Sequence, residues 1–173
     1  YIERLGELKK RLFVGKISGS VGIHDCLGEL GEKIEREVLG ELGLEVDENA
    51  TQVISRDRFV ELFSVLALVS TSLDKLATEI RNLQRTEIGE VEEEFLPSQV
   101  GSTAMPHKKN PVNSENICSL SRILRGLLLS AFENVVLWHE RDLTNSASER
   151  ILIPEFFMIV DEQLSRMIRI LKG

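Results

Sequence analysis

One short segment of the chain combines residue types that bind and process organic anions. It reads GSTAMPHKKNP and runs from Gly101 to Pro111. A hydroxyl comes early, two ammonium groups come later, and we expect a helix capped by Asn113 or Ser114 to follow. Free amides at a helix N-terminus, with lysines beside them, favour an anion-binding site. The same composition is typical of an exposed basic surface loop, so these residues alone leave both interpretations open.

The motif at 101–111 resembles the signature of the fumarase/aspartase superfamily, which is usually written G-S-S-x-M-P-x-K-x-N-P. Nearly every fixed position matches, and Thr103 replaces the second serine. Other segments resemble the adenylosuccinate lyase branch of that superfamily: residues 51–58 (TQVISRDR), residues 83–95, and WHERD at 138–142 followed by Ser146 and Arg150. The resemblance covers about residues 15–150, the middle of the family's chain. We therefore expect the family's N-terminal domain and C-terminal helical domain to lie outside this sequence.

The resemblance implies an enzyme acting on a small molecule, because this superfamily cleaves C–N or C–O bonds by β-elimination and releases fumarate. The proton removed is bound to carbon beside a carboxylate, so a second negative charge develops and must be stabilised. By position, Ser102 matches the family's general base, while Lys108 and Asn110 match residues that hold the substrate's carboxylates. Glu115 matches a carboxylate that pairs with the acid histidine. The alternatives are turn residues for Ser102 and Asn110, a solvated lysine, and a glutamate that stabilises the helix dipole.

For the adenylosuccinate lyase branch the resemblance also implies a nucleotide-phosphate site, made here of Arg141, Ser146 and Arg150. Ser146 and Arg150 are four residues apart, and they share one face if a helix begins near Ser146. A hydroxyl, a guanidinium and a helix N-terminus then converge on one dianion. The alternative is a helix-capping serine with solvated arginines. Gln52 matches a substrate-contacting glutamine, or else is an ordinary residue of a first helical turn.

None of the three histidines matches the family's general acid. That histidine precedes the Gly/Ser loop at residues 15–22, which would place it before the first residue of this chain. His107 is expected to make a local contact, His139 to be structural, and His24 has no assigned role. We therefore expect the base but not the acid within these residues, and a polypeptide of this sequence alone is expected to be inactive.

The elements that must position these residues are predicted to be helices. Apolar residues after Thr51 recur at alternating steps of three and four, which is typical of near-parallel helices in a bundle. This apolar seam consists of Phe59, Leu62, Leu66, Val69, Leu73, Leu76, Ile80 and Leu83. It predicts one helix over about 52–86, and similar patterns predict helices after Pro111 and near the end, with shorter ones over 1–14 and 27–42. We predict an all-α fold, a single helical-bundle domain over 1–173 that resembles the superfamily's central domain.

A long connection over 87–112 carries the signature loop, at about 97–112. Connections of this length without secondary structure are uncommon and tend to be functional or disordered. The acidic residues of this connection, Glu90 and Glu92 to Glu94, are most simply interpreted as a solvated helix end or loop.

Composition excludes several classes of partner. The 173 residues carry a net charge of −7, which disfavours nucleic acid or an anionic membrane as the main partner. The longest charge-free apolar stretch, residues 62–73, is too short to span a bilayer. Cys26 and Cys118 give neither a disulfide framework nor a zinc ligand set, and the resemblance implies no metal or organic cofactor. We expect a cytoplasmic protein and, by the family's habit, a homotetramer with active sites built from three subunits.

The resemblance thus implies cleavage of adenylosuccinate into AMP and fumarate, and of the related succinyl-carboxamide ribotide of purine biosynthesis. Another fumarate-releasing lyase, such as argininosuccinate lyase or fumarase, is the first alternative. A helical oligomerisation fragment without activity is the second. The group formed by Arg141, Ser146 and Arg150 argues for a phosphorylated substrate.

Overall fold

The computed structural model describes residues 1–95, 101, 103–105 and 107–172. This part of the chain is mostly helical, with five α-helices: α1 Ile2–Leu12, α2 Gly31–Glu41, α3 Asp57–Leu83, α4 Val112–Glu133 and α5 Thr144–Lys172. A 3₁₀ turn, Gly28–Leu30, precedes α2, and two short strands, β1 Val14–Gly15 and β2 Glu45–Val46, pair in parallel. No helix of these described residues has the length and apolar character needed to cross a membrane. The all-α prediction is confirmed.

The chain divides into two compact units. The first contains residues 1–65 and 127–154, and the second contains residues 66–126 and 155–173. Buried apolar residues of the first unit include Leu8, Leu39, Phe63, Ala131 and Leu152, and the core cluster of the second is Ala77, Ile117, Cys118 and Met167. The prediction of a single domain over 1–173 stays a prediction.

Helix α3 begins later than the predicted start at residue 52. The carbonyl of Thr51 accepts a hydrogen bond from Lys16 Nζ at 2.6 Å, and the amide of Ser55 donates to Asp47 Oδ2 at 3.2 Å. These bonds engage backbone groups that a longer helix would use for its own ladder. Gln52 therefore lies in a turn before α3, and its interpretation as a residue of a first helical turn is wrong.

The residues that α3 buries coincide only partly with the predicted apolar seam, of which Leu66 is buried and Leu73 and Ile80 are partly buried against the core cluster of the second unit. Buried positions on α3 include Val60, Phe63, Ala67, Ser70 and Ala77, whereas Leu76 of the seam is 41% exposed. The buried stripe contains small residues, which let neighbouring helices approach closely. Ala67 and Ala77 lie beside the seam, and a pattern of large apolar residues does not indicate that such small residues are buried.

A buried polar layer joins α3, α4 and α5 within the second unit. Ser70 Oγ donates to Ser121 Oγ at 3.0 Å, and Ser121 Oγ donates to the carbonyl of Ser70 at 3.0 Å. Gln163 Nε2 donates to the carbonyl of Ile117 at 2.9 Å and to Ser121 Oγ at 2.7 Å. A helix slipped by one residue would leave these buried groups unpaired, which is costly. The layer therefore favours one register of the three helices.

Candidate active site

In the first unit, the turn before α3 is held against the start of α5. Thr51 Oγ1 donates to the carbonyl of Glu140 at 2.8 Å. Arg56 Nε lies 2.8 Å from Glu149 Oε1, in an ion pair whose side chains are 13% and 17% exposed. The residues that make these contacts are neighbours in sequence of predicted site residues: Thr51, Glu140 and Glu149 directly precede Gln52, Arg141 and Arg150. The structure therefore brings the predicted substrate-binding segments of this unit together.

Four predicted substrate-binding residues belong to this group: Gln52, Arg141, Ser146 and Arg150. Gln52 and Arg150 are exposed, and Arg141 and Ser146 are half-buried. Gln52 follows Thr51, Arg141 follows Glu140, and Arg150 follows Glu149. The arrangement leaves two guanidinium groups, an amide and a hydroxyl available at one end of α5.

The N-terminus of α5 is capped by Asp142. Its Oδ1 accepts from the hydroxyl of Thr144 and, at 2.8 Å, from the Thr144 amide, while its Oδ2 accepts from the Trp138 amide at 3.0 Å. These hydrogen bonds, that of the Thr144 hydroxyl first, hold the pKa of Asp142 below its ordinary value. Because a carboxylate already caps the helix, the alternative in which Ser146 is the capping residue is wrong.

A tight loop supports the turn that carries Gln52. Lys16 Nζ donates to the carbonyls of Gly19 and Thr51, and burial lowers the pKa of this lysine. Gly22 has a φ of 79°, and a Cβ there would lie 2.4 Å from the carbonyl oxygen of Ala50. Only glycine allows this approach without strain. The Gly/Ser loop therefore holds the backbone at Ala50 and Thr51, directly before Gln52.

In the second unit, the signature-loop residues from Lys108 to Pro111, with Met105 and His107, line a cavity of about 650 Å³. Lys108 is exposed and Asn110 is half-buried. The other titratable residues lining the cavity are Arg81, Arg85, His107 and Lys109 together with two glutamates, Glu87 and Glu92. Lys109 Nζ forms an ion pair with Glu92. Among the described residues, no ion-pair partner is found for Lys108, so its ammonium group is available to an anion.

Ser102 lies outside the described residues, and its assignment as the general base stays a prediction. Glu115 is exposed in the first turn of α4, where its amide donates to the carbonyl of Pro111 at 2.9 Å. Its carboxylate is therefore accessible to a partner. A role in the helix dipole and a role in pairing with an acid both fit this position.

The predicted anion site at the N-terminus of α4 is wrong, because a protein carboxylate already occupies it. Glu93 Oε2 accepts from the amide of Asn113 at 3.1 Å, and Glu93 Oε1 accepts from the amide of Ser114 at 2.8 Å. The Ser114 hydroxyl also donates to Oε1. Glu93 is 7% exposed, so the interpretation of the acidic stretch as solvated is wrong at this residue.

The three histidines differ in their surroundings. His24 has a φ of 54°, and its Nε2 lies 2.9 Å from Oε2 of the buried Glu35. The other carboxylate oxygen of Glu35 accepts from the amide of Ile17 at 2.6 Å, which links His24 to the Gly/Ser loop. His107 lines the cavity of the second unit, and His139 is exposed with a φ of 50°. Within the described ranges, no group of three or more His, Cys, Asp or Glu side chains is arranged to hold a metal ion.

Sequence reasoning missed three residues that organise these sites: Glu93, Arg56 and Glu149. In the sequence, Arg56 is one residue of a matching segment and Glu93 is one residue of an acidic stretch. Their partners are far away in the sequence, so no local pattern identifies them. Burial of a carboxylate beside a helix N-terminus, visible only in three dimensions, is the signal that finds Glu93.

The fold and sequence of this chain place it in a known family. A sequence model of the family described as lyase matches residues 1–126, and the chain belongs to this lyase family. The chain is 50% identical to the adenylosuccinate lyase of Pyrococcus abyssi over 173 residues, and 47% identical to that of Aquifex aeolicus over 171 residues. These matches cover 100% and 99% of this chain but only 38% of each relative.

Solved structures of other enzymes share the fold of this chain. The 3-carboxy-cis,cis-muconate lactonizing enzyme from Pseudomonas putida matches with a TM-score of 0.84 and 36% identity, over 99% of this chain and 38% of that chain. The fumarate lyase from Mesorhizobium sp. BNC1 matches with a TM-score of 0.80 and 32% identity, over 99% and 37%. The predicted membership of the fumarase/aspartase superfamily is confirmed.

Proposed function

We propose that the protein carrying this chain is a C–N lyase that splits adenylosuccinate into AMP and fumarate. The observation that carries the proposal is 50% identity to an adenylosuccinate lyase across the whole chain. The muconate-lactonizing enzyme and the fumarate lyase that share the fold are less similar, at 36% and 32%. Sequence similarity therefore favours the adenylosuccinate reaction within the family.

The residues at the start of α5 are proposed to bind the 5′-phosphate of the nucleotide. Arg141 and Arg150 supply guanidinium groups, and Ser146 supplies a hydroxyl whose capping role is already taken by Asp142. Charge-assisted hydrogen bonds from guanidinium to phosphate are strong and geometrically specific. Gln52, held nearby through the contact between Thr51 and Glu140, is proposed to contact the same substrate.

The signature loop is proposed to act on the succinyl part of the substrate. Lys108 and Asn110 hold the carboxylates, and their charge and hydrogen bonds stabilise the negative charge that develops in the transition state. Ser102 takes the carbon-bound proton, the freed electron pair forms the C=C bond of fumarate, and the C–N bond breaks. The departing nitrogen receives a proton from an acid. Glu115 is proposed to pair with that acid and so to assist the proton transfer. No metal or organic cofactor takes part in this proposal.

A phosphorylated substrate distinguishes this proposal from its alternatives. Argininosuccinate and malate carry no phosphate, so an argininosuccinate lyase or a fumarase would have no use for the group at the start of α5. The succinyl-carboxamide ribotide does carry a 5′-phosphate and a succinyl group, and we include it as a second substrate. An oligomerisation fragment without activity would need neither the phosphate-binding residues of α5 nor the carboxylate-binding residues of the signature loop.

We further propose that the protein is a homo-oligomer, a tetramer whose active sites are shared between subunits. Support comes from apolar side chains left exposed at intervals of seven residues on α5, namely Phe157, Leu164 and Leu171. A helix that buries one apolar face within its own unit and exposes another is suited to pack against a second copy. The cytoplasmic location stays a prediction.

A substrate panel tests the proposed function. The full-length protein is incubated separately with adenylosuccinate, the succinyl-carboxamide ribotide, argininosuccinate and malate, and fumarate is followed by ultraviolet absorbance. We expect fumarate from the two phosphorylated substrates only. Release from argininosuccinate or malate at comparable kcat/KM would replace the proposal with one of its alternatives, and no release from any substrate would favour the inactive scaffold.

A further inference from the structure

The signature loop is joined to α4 by a buried carboxylate at its base. Glu93 receives three hydrogen bonds from the first turn of α4: two from the amides of Asn113 and Ser114 and one from the Ser114 hydroxyl. Hydrogen bonds to an ionised carboxylate are about twice as strong as neutral ones. The negative charge also interacts favourably with the positive end of the helix dipole. Glu93 is thus a firm attachment point for the chain that enters the loop.

Gln84, at the end of α3, links the two ends of the loop. Its Oε1 accepts from the amide of Glu93 at 3.0 Å, and its Nε2 lies 3.5 Å from the carbonyl of Lys109, at the limit of a hydrogen bond. An ion pair between Lys109 and Glu92 adds a third connection. The chain that enters the loop is therefore bound to the chain that leaves it.

These contacts lie beside the residues that are proposed to hold the substrate's carboxylates. Lys108 precedes Lys109, and the carbonyl of Asn110 accepts from the amide of Val112 at 2.8 Å, directly before Asn113. Since Glu93 occupies the helix amides, carboxylates of a ligand depend on side chains rather than on the helix N-terminus. The positions of Lys108 and Asn110 then depend on how firmly the base of the loop is held.

We propose that Glu93 is a positioning residue of the elimination reaction. It fixes Lys108 and Asn110 relative to α4 by binding the first turn of that helix, and it touches no substrate itself. The assignment rests on the proposed function. It predicts that weakening the Glu93 contacts impairs binding of the dicarboxylate while leaving the nucleotide site intact, because Arg141, Ser146 and Arg150 belong to the other unit.

The test compares fumarate and AMP binding by calorimetry in the full-length protein. In Glu93→Gln the side chain keeps its size but loses its charge, and its NH₂ group cannot accept a hydrogen bond from a backbone amide. We expect the Kd for fumarate to rise about tenfold or more, with the Kd for AMP unchanged. Glu93→Asp, which retains the charge, should recover part of the affinity. Glu94→Gln alters the exposed neighbouring glutamate and should change neither constant.

Gln84→Ala is a second variant, which leaves the helix cap in place and removes the link between the loop ends together with a side chain that lines the cavity. It should weaken fumarate binding in the same direction, even if Glu93→Gln proves too unstable to study. Unchanged fumarate binding in both variants, or an equal loss of fumarate and AMP, would overturn the assignment. Wild-type protein that releases fumarate from adenylosuccinate would uphold the proposed function even then. Wild-type protein that binds neither ligand would contradict the function, and the role of Glu93 with it.

Discussion

A serine hydroxyl removes a carbon-bound proton only when its alkoxide is stabilised by nearby amides and cations. If Ser102 is the base, Ser102→Ala should lower kcat by about 10²- to 10⁴-fold, the usual contribution of a positioned general base. Adenylosuccinate should still bind, because the phosphate and carboxylate contacts remain. Steady-state kinetics and a binding measurement check this, with Thr103→Ala as the control for the adjacent hydroxyl. Turnover within a few-fold of wild type would remove Ser102 from the mechanism.

Arg150 tests the phosphate assignment, because AMP carries a 5′-phosphate and fumarate does not. Losing a charge-assisted hydrogen bond costs about 1.5–3 kcal/mol, or roughly ten- to a hundredfold in affinity. Arg150→Ala should therefore weaken AMP binding by that factor and leave fumarate binding nearly unchanged, as measured by calorimetry. Arg169→Ala, an exposed arginine in the last turn of the same helix, is the control. Equal losses for both ligands would point to a folding defect or a carboxylate contact.

At the scale of single residues, motifs in the sequence indicate which side chains have a role, but they do not show which side chains are buried or paired. Lys108 and Lys109 are adjacent and chemically identical, yet only Lys109 is paired with a glutamate, Glu92. Glu93 belongs to a run of similar glutamates, and nothing in the run distinguishes the buried one. These differences arise from contacts with residues distant along the chain, which local composition does not encode.

At the scale of elements, helix type was predictable and helix orientation was not. The period of the apolar residues correctly predicted α3, α4 and α5, because a helical period is a local property. Which stripe faces the core of a unit depends on the neighbouring helices. In α3 that stripe includes Ala67 and Ala77, whose small size allows close packing but gives a weak signal in the sequence.

Ile117 on α4 tests the packing of the second unit. It is fully buried, with Ala77, Cys118 and Met167 in the same core cluster. Ile117→Ala should lower the free energy of unfolding by about 2–5 kcal/mol, since it removes buried methyl groups and leaves a cavity. Urea denaturation measures this change.

Arg122→Ala, at an exposed position of the same helix, provides the comparison for Ile117. It should alter the free energy of unfolding by no more than about 0.5 kcal/mol. A loss of similar size in both variants would mean that helix propensity or assembly, rather than core packing, dominates the stability of α4.

At the scale of the whole molecule, the long helices carry more apolar surface than one chain buries. Leu76 on α3 and Phe157, Leu164 and Leu171 on α5 remain exposed, and the apolar seam that predicted α3 is the stripe that stays partly open. A sequence shows such a stripe without revealing whether its own chain or a second copy covers it. The seam therefore predicted the helix without showing how much of the seam this chain itself buries.

If each active site contains residues of more than one subunit, two inactive variants should restore activity to each other, which a site built by one subunit does not allow. If the active sites of the proposed tetramer are shared, we expect the Ser102 and the Arg150 of one site to come from different subunits. Full-length Ser102→Ala and Arg150→Ala proteins should each release little fumarate alone, provided that adenylosuccinate is kept well below the KM of the Arg150→Ala protein. When they are mixed and allowed to exchange subunits, some hybrid sites receive an intact Ser102 from one chain and an intact Arg150 from another. Fumarate release should then recover to a measurable fraction of the wild-type rate, whereas mixing two batches of the same variant should restore nothing.

Light scattering before and after mixing verifies that the tetramers persist. Persistent inactivity of the mixture, with subunit exchange demonstrated by differently labelled chains, would show that the Ser102 and the Arg150 of one site come from the same subunit.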